Sequence, residues 1–69
     1  MEEIHIGELI RRKMKEERYT AAWLAKQLEC DPSNIYKIFK NYRIDTDSLL
    51  KISRLLHHDF FSYYSSLLE

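Results

Sequence analysis

The sequence predicts an all-α fold, a compact bundle of five short helices. Three observations carry this. The 69 residues hold one glycine and one proline, so little interrupts a helix. Apolar residues recur at three- and four-residue spacing, and no stretch alternates with a period of two. Helix-starting side chains stand ahead of the later periodic segments. A chain of this length makes one domain, residues 1–69, with a modest core.

The first helix is expected over about 6–17. Ile6, Leu9, Ile10 and Met14 share one face, with Glu8, Arg11, Lys15 and Arg18 pointing the other way. The second, about 21–28, is capped by Thr20 and buries Leu24, Ala25 and Leu28. The third, about 32–40, is capped by Asp31. Pro32 takes its first position, where no amide is needed. Its apolar face is Ile35, Ile38 and Phe39, and Asn41 is placed to end it in the left-handed conformation. The fourth, about 46–56, is capped by Asp45 or Thr46 and turns Leu49, Ile52, Ser53 and Leu56 inward. The fifth, about 60–68, begins after Asp59 and is apolar on all sides.

Composition excludes several classes of function. One cysteine forbids an internal disulfide, and Cys30 has no basic partner near it in sequence to activate it, so it reads as a core filler. His57 and His58 are adjacent and cannot share a helix face, so no metal site is expected; loop-end polar groups are their expected role. His5 is expected to be exposed. There is no glycine-rich phosphate loop and no nucleophile triad, so neither enzyme activity, a cofactor nor a small-molecule ligand is expected. The start is polar and charged, and the longest apolar runs fall far short of a membrane span. A lone thiol without an export signal fits a reducing cytoplasm.

Net charge is formally zero, but its distribution is uneven. Residues 10–15 hold Arg11, Arg12, Lys13 and Lys15 and no acid, and residues 32–43 hold Lys37, Lys40 and Arg43 and no acid. About three residues, Glu29-Cys30-Asp31, join the second and third helices. So short a link forces a steep crossing, the geometry of a helix-turn-helix. Ala25 is small where the helices approach, Cys30 plugs the turn, and Ile35 and Ile38 seat the second helix of the motif. Ser33, Lys37 and Lys40 then fall on its outer side, flanked by Asn34 and Tyr36.

These residues resemble the lambda-repressor-like, or Cro-type, helix-turn-helix family, also called the XRE family. The similarity runs from about Ile6 to Phe61. It is carried by Ile10-Arg11, Thr20 with Leu24-Ala25, Cys30 with Ile35 and Ile38, and Leu49 with Ile52-Ser53 and Leu56. The resemblance implies a sequence-specific regulator of transcription that binds double-stranded DNA with the third helix in the major groove. Ser33, Asn34, Tyr36 and Lys37 would then meet base edges. Lys40 and Arg43 would meet phosphates, with Thr20 and the backbone amide of Ala21 on the other flank. The chain departs from the family at four places. Glu29 stands where glycine usually makes the turn, and Ala21 where glutamine usually contacts phosphate or a base. Met14 and Phe39 replace a usual Arg–Glu pair and are expected to touch.

Two readings compete for the outer face of the third helix. One is a DNA surface. The other is an interaction module that keeps the fold without DNA affinity, favoured by Ala21 and the neutral charge. The basic groups of the first helix are either a DNA contact or an ordinary solvated face. Trp23 either roofs the core with Tyr19 or makes a contact. The apolar surplus of the fifth helix predicts a homodimer through Phe60, Tyr63, Tyr64 and Leu67.

Overall fold

The computed structural model describes residues 3–68. Five helices follow one another: α1 (Ile6–Glu16), α2 (Ala21–Gln27), α3 (Pro32–Lys40), α4 (Thr46–Leu56) and α5 (Ser62–Ser65), the last running into a 3₁₀ turn at Ser66–Leu68. Local chemistry starts four of them. The His5 ring nitrogen Nδ1 accepts from the Glu8 amide at 3.1 Å, and Thr20 Oγ1 from the Trp23 amide at 3.0 Å. Asp31 and Asp45 accept from the amides of Ser33 and Ser48 at 2.9 and 3.0 Å. These bonds engage amides of the first turn, which has no preceding turn to pair with; the Glu8 amide is shared with the His5 carbonyl. Of the two caps open for α4, the structure uses Asp45.

The core draws on every helix except the short fifth. Ile6, Ile10 and Met14 come from α1, Leu24 and Ala25 from α2, Ile35 from α3, and Leu49, Ile52 and Leu56 from α4. Phe60, fully buried, closes the set from the turn before α5. Leu9, Leu28, Ile38 and Phe39 pack against this cluster while half-buried. Cys30 does the same, as a filler of the turn. Ser53 is also turned inward, and its hydroxyl finds no hydrogen-bond partner among the described residues. Tyr19 stacks on Trp23 at 4.5 Å, and both rings lie against the core, which is the roofing arrangement.

Three helices end in the same way. Tyr19 donates to the Met14 carbonyl, Cys30 to Ala25 and His58 to Ser53, each reaching back five residues. The residue before each donor is left-handed: Arg18 at φ 62°, Glu29 at 55° and His57 at 52°. This is the Schellman arrangement, in which glycine is the usual occupant because it has no Cβ to clash. All three side chains are exposed, so removing them disturbs no packing. Glu29→Gly and His57→Gly are therefore each expected to stabilise the chain, by about 0.5–1 kcal/mol, since relief of the left-handed strain outweighs the added freedom of the unfolded chain. Urea unfolding midpoints measure this; a fall in both would show that the strain is absent.

Three expectations need correction. Asn41 is extended, at φ −91° and ψ 141°, not left-handed. That conformation turns its carbonyl onto the Gly7 amide, 3.1 Å away, and docks the start of α1 on the end of α3. His5 is half-buried rather than exposed, because it caps α1 and lies on the Tyr42 ring at 4.0 Å. The fifth helix begins at Ser62, not at residue 60. The Asp59 carboxylate accepts from the Phe61 amide at 3.0 Å, and the chain turns there so that Phe60 can enter the core.

Candidate nucleic-acid interface

The outer side of α3 is set by what its inner side must do. Ile35 is fully buried and Ile38 and Phe39 lean on the core, so Ser33, Asn34, Tyr36, Lys37 and Lys40 are all exposed. Tyr36 is 56% exposed, and its ring meets Phe39 edge-on at 5.9 Å. Lys37, Lys40 and Arg43 pair with no carboxylate among the described residues. Asp31 lies just ahead of the helix. The Ser33 amide and hydroxyl hold its carboxyl below the usual range, and the charge of Lys37 adds to this.

The turn that presents α3 is short and internally bonded. Leu28 ends α2, Glu29 takes the left-handed position, Cys30 packs inward and Asp31 opens α3. The two helices of the motif pack on each other, and α3 packs also on α1. This supports α3 on two sides and leaves the third free.

The structure gathers some of the sequence-derived residues and separates others. Ala21, Tyr36 and Lys40 line one cleft of about 500 Å³, together with Arg11, Met14, Lys15, Tyr19 and Phe39. Met14 is buried and Phe39 half-buried, and both form walls of this cleft, so neither side chain is turned out into solvent. Thr20 is exposed at the start of α2, its oxygen engaged with Trp23. Arg43 lies elsewhere, on an apolar cleft of about 470 Å³ with Tyr42, Ile44, Leu49, Phe61 and Tyr64. Tyr42, half exposed beside Arg43, went unremarked in the sequence because its contact with His5 is made only on folding.

The residues expected at a dimer interface also divide. Phe60 is fully buried and belongs to the core, which removes it from any surface. Tyr63 is half-buried, with its hydroxyl 2.9 Å from His58 Nε2. Tyr64 and Leu67 are 37% and 59% exposed, and Leu68, part of the same apolar surplus, is 88% exposed.

No group of three or more potential metal ligands occurs among the described residues, and none of their helices is long and apolar enough to cross a membrane.

An all-helical bundle in which two helices cross at a short turn, the second with its outer side free, has the arrangement of the helix-turn-helix class of DNA-binding domain. The model of the Cro/C1-type HTH DNA-binding domain family matches residues 9–60, most of the chain, and the protein belongs to that family. No curated protein and no solved structure matches it.

Proposed function

We propose that the protein is a sequence-specific transcriptional regulator that lays α3 in the major groove of double-stranded DNA, in the cytoplasm where that DNA is reached. The observation that carries this is the outer side of α3: five exposed polar, aromatic and basic side chains, with no acid between residues 32 and 43. Asn34 suits a two-point contact to adenine, and Lys37 reaches guanine. Ser33 and Tyr36 flank them, Tyr36 offering its ring to a thymine methyl. Lys40 and Arg43 meet phosphates on one side, and Thr20 with the Ala21 amide on the other.

Salt-titrated binding to mixed-sequence duplex DNA is the test. The log–log slope is expected to be steep, and Lys40→Ala or Arg43→Ala each lowers its magnitude by about one. Asn34→Ala or Lys37→Ala instead relaxes preference at one position, by about 1–3 kcal/mol between competing bases. A flat response without measurable affinity would select the second reading, an interaction module. The observations favouring that reading are the zero net charge and the missing side-chain contact at Ala21.

We also infer a homodimer through Tyr63, Tyr64 and Leu67. Two copies would set their α3 helices about 34 Å apart, one turn of duplex. A monomeric mass by light scattering at tens of micromolar would sink this.

A further inference from the structure

Helix α1 carries four basic side chains, and three of them already lie on a carboxylate close in sequence. Arg11 and Arg12 lie on Glu8 at 2.7 and 3.3 Å, and Lys13 lies on Glu17 at 3.2 Å. Arg11 is held by both Nε and Nη2, a two-point grip on the carboxylate. That grip holds the Glu8 carboxyl down at about 2, so the pair stays ionised across the neutral range. Lys15 is different. It is exposed and pairs with no carboxylate among the described residues.

Lys15 lines the cleft between α1 and α3, and Lys40, equally unpaired, lines it from the α3 side beside Tyr36. Three cations and one acid border the cleft, and the acid is already shared by Arg11 and Arg12. The two cations of the cleft that no carboxylate touches among the described residues are therefore Lys15 and Lys40. The cleft is continuous with the outer side of α3, since Tyr36 and Lys40 belong to both.

The geometry points to Lys15 as a phosphate-binding residue that, with Lys40 across the cleft and Tyr36 beside it, seats one phosphodiester of the duplex backbone. This rests on the reading of α3 as the groove-entering helix. The occupant follows from charge and position. A duplex lying on α3 carries one negative charge for about every 1.7 Å of its axis, so backbone phosphate is the anion most readily brought to a cleft that borders that helix. Arg11 borders the same cleft, but two of its five donors already grip Glu8 and its charge is partly offset there, so Lys15 is the cation of α1 that no carboxylate touches.

The experiment is binding of the full chain to a fluorescently labelled random-sequence duplex, by anisotropy, over a range of salt. Lys15→Gln is expected to lower the magnitude of the log–log slope by about one and to weaken binding roughly five- to tenfold at 0.1 M salt. Lys15→Arg keeps both. Lys51→Gln, on a separate small cleft with Leu28 and Arg54, leaves both unchanged. Matching thermal melts confirm that each variant is folded. If the parent binds with a steep slope and Lys15→Gln matches it, the phosphate seat is overturned while α3 keeps its role. Weaker binding at an unchanged slope also overturns it, because the loss is then not one of charge. If the parent shows no salt-dependent binding, the DNA reading fails and the seat fails with it.

Discussion

Phe60→Ala is expected to destabilise the chain by about 3–5 kcal/mol, the usual cost of deleting a buried aromatic ring. Below about 70–80 residues a single core rarely supplies more than about 3–5 kcal/mol of net stability, so most of the margin would go. Phe60 is fully buried, and its ring meets the His58 imidazole edge-on at 4.7 Å and lies 6.2 Å from Tyr63. It thus ties the end of α4 to α5, and its loss removes both the ring and the reason for the turn at Asp59. Urea unfolding followed by circular dichroism measures the effect. Leu67→Ala makes the contrast: the side chain is mostly exposed, so its loss is expected to lower self-association while leaving the unfolding midpoint nearly unchanged. If Phe60→Ala instead unfolded like the parent and only changed the mass in solution, its placement in the core would be wrong.

Gly7→Ala is expected to cost about 3 kcal/mol, the upper range for forcing an extra methyl into filled space. A Cβ at Gly7 would collide with the Ile38 carbonyl oxygen and lie 2.6 Å from those of Phe39 and Asn41. These are backbone atoms and cannot rotate away. For a domain of this size the melting temperature should fall by about 12 °C or more. Relief requires α1 and the end of α3 to separate, which breaks the bond from the Gly7 amide to the Asn41 carbonyl. DNA affinity should therefore fall even where the variant is still folded. Calorimetry and anisotropy on the same preparation check both. A melting point within a few degrees of the parent would mean that the helix crossing is looser than described.

The parts of the fold legible in the sequence were those decided locally. Thr20 and Asp31 cap helices by bonds two or three residues long, and Asp45 does the same. The bounds of α3 and α4 follow from such caps and from the apolar period. What stayed hidden depends on distant partners. Nothing near Asn41 says that its carbonyl will be taken by Gly7, and nothing near His5 says that Tyr42 will cover it. The start of α5 moved because Phe60 is claimed by the core, a demand made by the other helices. The outer side of α3 was readable because it is the complement of Ile35 and Ile38. The cleft bordered by Lys15 and Lys40 was not, since it exists only once α1 and α3 are docked.

The sole glycine in this chain is spent on a close approach of two backbones, not on a turn. Arginine, glutamate and histidine do the reversing instead, and the ends of α1, α2 and α4 close around them. Glycine at the bend of a helix-turn-helix is thus a convenience of the fold and not one of its requirements. A charged residue there keeps the architecture of this chain at a modest energetic penalty.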